Sequence, residues 1–252
     1  MWLSRGFLLN TIEHLYMSLS KMSSEGKLMS AVKNIFAPKS SRVLRVLLVN
    51  HGRDWDERQL ALEANVSSGL AHYVCQTLTE LGSVARNEQN RILLLDPLKL
   101  LRRWASYHQY DRVNRFLDYY TFERETDQFV NRMVCLSDKY ALSGLIAAWL
   151  VAPYVRPVDV HLYIPSEDVA PKIAEKLELN PTPRGGNVKF VVPYDDGVFY
   201  GMREVRGAKL VSNVQLYVDL YNLPARGEEA ASQLLEVMLK EWQQKREVRQ
   251  NV

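Results

Sequence analysis

The stretch from Leu60 to Leu94 constrains the fold of this chain more than any other part of the sequence. Ala61 is small, as needed where two helices cross closely, and Asn65 follows where a tight turn can use the left-handed conformation that Asn tolerates. Ser67 or Ser68 can cap a second helix, whose apolar residues recur at three- and four-residue spacing. These apolar residues are Leu70, Val74, Leu78 and Leu81. The pattern predicts two helices joined by a tight turn.

A two-stranded hairpin is predicted directly after these helices. Gly82 is a suitable helix C-cap, and residues 83–86 and 91–94 have the composition of two short strands around a turn at residues 87–90. Upstream, the apolar residues of Arg42 to Val49 predict a first helix, and Asp54 or Asp56 can cap the helix that follows. Three helices followed by a hairpin are typical of a winged helix-turn-helix.

The polar face of the predicted helix that follows Ser67 is a candidate DNA-reading surface. Its short or flat polar side chains can reach base edges or phosphates, and two arginines flank the hairpin turn. We therefore expect double-stranded DNA to be contacted by Ser67, Ser68, His72, Tyr73, Gln76, Thr77, Arg86 and Arg91. The helix itself has no Lys or Arg, so a bidentate guanine contact from it is not expected.

The distribution of charge favours DNA binding over the alternative. Residues 1–104 contain 14 Lys and Arg against 9 Asp and Glu, whereas residues 105–252 contain 18 against 20. Positive charge is thus concentrated in the half that would bind phosphates. The alternative is that the segment is a protein-interaction module whose polar face is merely solvated.

Length and composition leave room for two modest domains or one large one. The 252 residues are 47% hydrophobic and 24% charged, as is common in globular proteins. No apolar run has membrane-spanning length and no signal-peptide cleavage site follows the N-terminal apolar patch, so a cytoplasmic protein is expected. The two cysteines, Cys75 and Cys135, lie on predicted helices, where we expect buried free thiols.

The predicted fold class is α+β, with an N-terminal winged helix-turn-helix and a mixed α/β C-terminal domain. Residues 1–35 are expected to form a helical extension, residues 36–106 the winged helix-turn-helix, and residues 107–126 an aromatic-rich connector. The aromatic and basic residues of the connector fit packing between domains, or stacking on single-stranded bases. Residues 127–252 form the predicted α/β domain.

Helices and strands are mixed in the second half. Helices are predicted at Asp127–Leu136, Tyr140–Leu150, Val169–Leu177 and Glu228–Lys245, and a further helix is predicted to begin after the cap residue Ser212. Strands are predicted at Val158–Ile164, Val188–Val192 and Gly197–Tyr200.

Candidate catalytic groups are few, and we expect neither catalytic residues nor a metal or cofactor. Asp159, Glu175 and Lys176 lack the strand-borne Glu-x-Lys spacing of a two-metal nuclease. His161 has no second metal ligand at helical spacing. The segment Arg184 to Asn187 is glycine-rich but lacks the Lys and the following helix of a phosphate loop, so a strand-entry turn is expected.

Several motifs resemble the AbiEi family of antitoxins and transcriptional regulators of type IV toxin–antitoxin systems. The resemblance runs from about Phe36 to the last helix. Besides the predicted winged helix, it rests on residues 94–104, on Tyr140 to Gly144, and most specifically on VSNVQLYVDLYNLPARGEEAA at residues 211–231. Within that last motif, the residues in the family's order are Gln215, Asp219, Arg226, Gly227 and Glu228.

The resemblance implies a repressor that binds inverted repeats in its own promoter and counteracts a nucleotidyltransferase-like toxin. A homodimer is expected because paired half-sites usually match two-fold protein symmetry. Gln215, Asp219, Arg226 and Glu228 are then candidate antitoxin-domain residues. A structural role is the alternative for them, with Arg226 paired to Glu228 or Asp219 and Gln215 a buried hydrogen-bonding residue. Two other functions stay open, a DNA-targeted nuclease or nucleotide-processing enzyme, and a winged-helix adaptor in a phage-defence complex.

Overall fold

Residues 34–123 and 125–250 are described by a computed structural model, with side chains described as far as Gln244. The helical extension predicted for residues 1–35 therefore lies almost wholly outside the described residues. The described chain has a mixed α/β fold, in which helices pack on a seven-stranded sheet and a separate two-stranded hairpin follows the first three helices.

Three helices open the described chain, close to the predicted positions. They are α1 (Pro38–Val49), α2 (Glu57–Glu63) and α3 (Ser68–Glu80). Asp56 caps α2 by accepting a 2.9 Å hydrogen bond from the amide of Arg58, and Ser67 caps α3 through the amide of Leu70. The turn between α2 and α3 uses Asn65 at φ 50°, which confirms the left-handed turn expected from the sequence.

The predicted hairpin is also present. Strands β1 (Val84–Arg86) and β2 (Ile92–Leu94) are antiparallel, with Val84 opposite Leu94. Trp55 forms a β-bridge with Ile92 and so joins the loop before α2 to the hairpin. The expectation that Leu81 extends the apolar face of α3 is wrong, because the helix ends at Glu80 and Leu81 is 42% exposed.

The aromatic segment predicted as a connector contains regular structure. Helix α4 (Pro97–Tyr107) begins as predicted, with Asp96 accepting from the amide of Lys99 at 2.9 Å. A short helix α5 (Tyr110–Val113) leads into strand β3 (Arg115–Tyr120), which pairs with two other strands of the large sheet. The strand was missed because its aromatic residues do not alternate with polar ones.

Strand β3 belongs to a large sheet whose other strands are β4 (Ala141–Ser143), β5 (Val160–Tyr163), β6 (Asn180–Pro181), β7 (Val188–Val192), β8 (Arg203–Val205) and β9 (Ala208–Leu210). The seven strands lie in the order β6-β3-β7-β5-β4-β9-β8. The pairs β5–β7 and β4–β9 are parallel, whereas the other pairs are antiparallel. Such a mixed sheet needs helices to cover it.

Five helices accompany the later strands. They are α6 (Thr126–Val134), α7 (Gly144–Val151), α8 (Ala170–Lys176), α9 (Asn213–Tyr221) and α10 (Gly227–Gln250). Helix α9 is buried from Asn213 to Leu220 and packs against α1, α4, α7 and α10. The same hydrophobic core therefore extends from the first helix to the last.

Three local expectations are wrong. Residues 140–150 are not one helix, because β4 ends at Ser143 and α7 starts at Gly144, whose φ of 63° breaks the chain direction. Gly197–Tyr200 is not a strand, since Asp195 accepts from the amide of Gly197 at 2.7 Å and starts a 3-10 helix. Cys135 follows the end of α6 and is exposed, whereas Cys75 is buried as expected.

None of the described helices combines the length and the apolar composition that crossing a membrane requires.

Candidate nucleic-acid interface

The outer face of α3 presents the polar side chains that the sequence predicted there. Ser68, His72 and Gln76 are exposed, and Tyr73 and Thr77 are half-buried. Two predicted hydroxyls are already used within the protein. The Ser67 oxygen accepts the capping bond from Leu70, and the Thr77 hydroxyl donates to the backbone carbonyl of Tyr73 at 3.0 Å. The side chains of Ser68, His72 and Gln76 are therefore the more accessible ones.

Gln76 lies in the middle of this face. Its side-chain amide donates to the Glu80 carboxylate, one helical turn further on, at 3.2 Å. Because both groups are exposed and water competes for them, this bond can be exchanged for a bond to another partner at low cost. A glutamine with such freedom can present both its donor and its acceptor to an adenine edge.

The two hairpin arginines are held by carboxylates in the first turn of α2 and in the loop before it. Arg86 forms an ion pair with Glu57 and also donates to the carbonyl of Asn90 at 3.2 Å. Arg91 forms an ion pair with Asp54 at 3.0 Å and donates to the Asp54 carbonyl at 3.0 Å. Both guanidinium groups are thus oriented, and both have a competing anion within the protein.

Glu57 joins the hairpin to α3. One carboxylate oxygen contacts Arg86, and the other lies 2.8 Å from Nδ1 of the His72 ring. Burial tends to raise the pKa of Glu57, but the hydrogen bonds from Arg86 and His72 outweigh burial, so the pKa of this carboxyl is lowered. Two of the predicted DNA contacts therefore share one carboxylate.

The local charge differs from the charge of the wider segment. Residues 51–95 contain four arginines, no lysine, and six Asp and Glu residues. The positive excess counted over residues 1–104 consequently lies in the flanking sequence and not around α3. A charge count over the first hundred residues averages over both regions and does not reveal this local difference.

A cluster of buried polar groups is centred on Asp219 of α9. The Asp219 carboxylate accepts hydrogen bonds from Ser143 Oγ at 2.7 Å, Tyr163 Oη at 3.1 Å and Gln215 Nε2 at 2.7 Å. Nε2 of His108 lies 3.3 Å from the same carboxylate. Desolvation by burial, together with the Asp219 charge, raises the pKa of Tyr163 well above its ordinary value, so this tyrosine stays a donor.

Gln215 connects this carboxylate to Arg45 of α1. Its carbonyl oxygen accepts from Arg45 at 3.0 Å (Nε) and 2.7 Å (Nη2), while its amide nitrogen donates to Asp219. Arg45 is 0% exposed and its guanidinium carbon lies 4.9 Å from the ring centroid of Trp104. The predicted role of Gln215 as a buried hydrogen-bonding residue is confirmed.

The other two residues of the antitoxin motif are on the surface. Arg226 pairs with Glu229 at 2.6 Å, and not with Glu228 or Asp219 as the sequence suggested. The hydrogen bond to Glu229 raises the pKa of Arg226, and the hydrogen bond from Arg226 lowers that of Glu229. Glu228 is exposed in the first turn of α10, where a carboxylate is favoured by the helix dipole.

Sequence reasoning missed the partners of the buried motif. Ser143 lies within the segment Tyr140 to Gly144 that resembles the family, but no sequence pattern indicates that it faces Asp219. The burial of Arg45 is easier to recognise from the sequence, because an arginine among the apolar positions of α1 needs a buried hydrogen-bond acceptor.

His161 also has partners that sequence spacing could not show. Its Nε2 lies 3.1 Å from Asp159, and its Nδ1 lies 3.2 Å from the hydroxyl of Tyr110. Within the part of the chain that the structure describes, no group of three or more His, Cys, Asp or Glu side chains is placed to hold a metal ion.

The comparison with known families identifies the class of protein. A family model described as a transcriptional regulator, the AbiEi antitoxin of type IV toxin–antitoxin systems, matches residues 93–240. The chain belongs to this family of regulatory antitoxins, which confirms the resemblance found in the sequence. The match begins at the second hairpin strand, so α1 to α3 precede it. Neither a curated protein nor a solved structure matches the chain.

Proposed function

We propose that this protein is a sequence-specific DNA-binding repressor of its own promoter, and that it also counteracts a nucleotidyltransferase-like toxin. In this proposal α1 to α3 and the hairpin form a winged helix-turn-helix. Membership of the AbiEi family supports the regulatory and antitoxin roles in general. Family membership does not identify the DNA-binding residues or the repressed promoter, and these are part of our proposal.

One arrangement of side chains supports the proposed DNA binding. The exposed polar face of α3 adjoins the hairpin arginine Arg86, and Glu57 contacts both Arg86 and His72. A helix of this length fits the major groove, and an arginine on an adjoining hairpin is well placed for the phosphate backbone. The same geometry would place Ser68 and Gln76 toward base edges.

The absence of Lys and Arg from α3 shapes the expected mode of binding. With few phosphate contacts the non-specific affinity should be low, and the salt dependence shallow, because few counterions are released. Discrimination would then come mainly from hydrogen bonds between α3 and bases. Binding to inverted repeats calls for two copies of the chain, one per half-site.

The antitoxin part is assigned to the residues matched by the family. The buried cluster around Asp219 would fix the positions of α1, α9, β4 and β5 relative to one another, because each of these elements contributes a hydrogen-bonding side chain to it. It would thereby keep the outer surface of the C-terminal half in one shape. Arg226 and Glu228 belong to that outer surface and are the candidates for contact with a partner.

The DNA-binding part is tested by fluorescence anisotropy with the full chain. The probe is a duplex of the sequence upstream of its own gene, and the control is a shuffled duplex of equal length and composition. We expect saturable binding to the native duplex, with an affinity at least about 10³-fold above that for the shuffled one. Equal affinities for the two duplexes at low ionic strength, or no binding to either, would contradict the proposal.

The antitoxin part is tested separately in cells. A nucleotidyltransferase-like gene adjoining this one is expressed with and without the chain, and growth is measured. We expect growth arrest that the chain relieves. Gln76→Ala should weaken repression of a promoter–reporter fusion and still relieve the arrest, because Gln76 lies on α3 and outside the residues matched by the family.

A further inference from the structure

A cavity of about 220 Å³ lies where the N-terminal helices meet the C-terminal half. Its walls come from α1, from the end of α2 with the following turn, and from the 3-10 helix at Asp196–Phe199 with Tyr200 after it. Pockets for drug-sized ligands usually measure about 300–1,000 Å³, so this cavity fits a smaller molecule.

One buried donor in this wall lacks an acceptor. Arg45 is 0% exposed, its Nε and Nη2 bind Gln215 and Tyr194, and its plane lies against Trp104. Its remaining nitrogen, Nη1, has no hydrogen-bond partner among the described residues. A buried charged N–H without an acceptor is costly, so an oxygen-bearing partner would be bound strongly here.

Gly197 allows the backbone of the 3-10 helix to lie close to this donor. A Cβ at this position would lie 2.7 Å from Arg45 Nη1, 2.6 Å from Asp195 Oδ1 and 2.9 Å from Arg42 Cγ. Its φ is not in the left-handed region, so the backbone does not require glycine there. Glycine is required because a side chain at this position would displace the Arg45 guanidinium from its place in the cavity wall.

The charges around the cavity limit the ligand to a single negative charge. Arg42 is already paired with Asp195 at 2.8 Å, and Glu63 accepts a 2.6 Å hydrogen bond from Tyr200. Asp196 is exposed at the rim. Glu63 and Asp196 would repel a polyanion, whereas Arg45 leaves one positive charge available. The side chains of Val46 and Ala64 add apolar wall.

We propose that this cavity binds a small monocarboxylate with an apolar body, whose carboxylate accepts from Arg45 Nη1. Ala64 and Asn65 lie in the turn that leads into α3, so the ligand would touch the segment that positions the exposed polar face of α3. The binding step is independent of the proposed function. Its consequence, a change in DNA affinity, rests on the proposed DNA binding.

Isothermal titration calorimetry on the full chain tests the binding step with three probes of similar shape, namely benzoate, benzamide and benzylamine. We expect benzoate to bind at least about tenfold more tightly than benzamide, because the charge-assisted bond to Arg45 is lost with the neutral amide. Benzylamine should not bind. No heat with benzoate at millimolar concentration, or equal affinity for all three probes, would overturn the proposal.

Two variants with opposite expected effects make the test specific. Gly197→Ala should abolish benzoate binding, with Gly69→Ala as the matched control, because a Cβ at Gly69 meets nothing within 4 Å. Glu63→Gln should tighten benzoate binding several-fold by removing a negative charge from the wall. Benzoate binding to Gly197→Ala at the wild-type affinity, or weaker binding to Glu63→Gln, would place the ligand elsewhere.

The regulatory consequence is measured by repeating the native-duplex titration with saturating benzoate. We expect the DNA dissociation constant to change at least about threefold in wild type and not in Gly197→Ala. If benzoate binds and the duplex affinity is unaffected, the cavity is a ligand site without regulatory effect. If the duplex is not bound at all, the proposed function fails and the calorimetric result still stands.

Discussion

The side-chain amide of Gln215 donates a 2.7 Å hydrogen bond to the carboxylate of Asp219, one turn further along α9, and both residues are completely buried. Through its carbonyl oxygen the same amide accepts from Arg45 of α1. A neutral side chain thus lies between a buried cation and a buried anion. Hydrogen bonds from three side chains stabilise the Asp219 charge, while Arg45 donates through Nε and Nη2, and this chain of contacts links α1 to α9.

Asp219→Asn should lower the free energy of unfolding by about 3 kcal/mol, because the new amide group meets donors where the carboxylate accepted hydrogen bonds. Urea denaturation followed by circular dichroism measures this. Glu229→Gln, which breaks an exposed ion pair instead, is the control and should leave the transition midpoint unchanged. A midpoint for Asp219→Asn equal to that of wild type would show that the carboxylate is not needed as an acceptor.

Glu57→Gln should strengthen binding to any duplex, native or shuffled. The substitution releases Arg86 and His72 from their shared carboxylate and removes a negative charge near the phosphates. The gain should reach up to roughly fivefold, the equivalent of about 1 kcal/mol for a partly exposed ion pair. Anisotropy titrations at fixed salt measure it.

The matched control for this variant is Glu88→Gln at the exposed hairpin tip. It makes the same change of net charge without touching Arg86. If the two variants gain affinity equally, net charge alone explains the effect, and the shared carboxylate has no particular role. If Glu57→Gln weakens binding, the ion pair instead holds the hairpin in the binding conformation.

Gln76→Ala and Arg86→Ala should affect DNA binding differently. Losing a base contact should reduce discrimination between native and shuffled duplexes by about 1–3 kcal/mol, whereas losing a phosphate contact should weaken both complexes alike. The two affinities measured for each variant decide this. Equal losses on both duplexes for Gln76→Ala would reject its assignment as a base-reading residue.

Local signals predicted the first third of the fold well. The cap residues Asp56, Ser67 and Asp96 fix where helices begin, and Asn65 fixes the turn, because each acts on backbone groups within a few positions. The order of the sheet could not be predicted in this way. Strand β3 pairs with β7, more than sixty residues away in sequence, and no local pattern encodes that pairing.

In the candidate site, too, local features could be predicted from the sequence and long-range contacts could not. The exposure of Ser68, His72 and Gln76 follows from helical periodicity and was predictable. The attachment of Arg86 to Glu57 was not, because it depends on how the hairpin lies against α2. Likewise, Gln215 could be assigned a buried position, but its link to Arg45 spans 170 residues of sequence.

Asp138 should titrate far below the usual range of aspartates. Hydrogen bonds from Lys172 at 2.6 Å and Lys176 at 2.7 Å lower its pKa from 3.8 to about 2. Because the pKa of Asp138 is lower in the folded state, its ion pairs with the two lysines favour folding above pH 3.8. This stabilisation is lost as the pH falls toward 2. Carboxyl ¹³C NMR measures the midpoint.

Lys172→Met should raise that midpoint toward 3.8, while Lys189→Met, which affects a lysine paired with Asp118, should leave it in place. An unchanged Asp138 midpoint in Lys172→Met would mean that Lys176 alone holds the carboxylate.

The two cysteines should differ sharply in reactivity. Burial raises the pKa of the Cys75 thiol to about 12, with a smaller contribution in the same direction from Glu57, whereas Cys135 is exposed after α6. Since the thiolate is the reactive form, 5,5′-dithiobis(2-nitrobenzoate) at pH 8 should titrate one thiol in the native protein and two in urea. Cys135→Ser should remove the native signal entirely. A native reaction that survives Cys135→Ser would show that α3 opens often enough to expose Cys75, and the rigid helix required for reading bases would then have to be reconsidered.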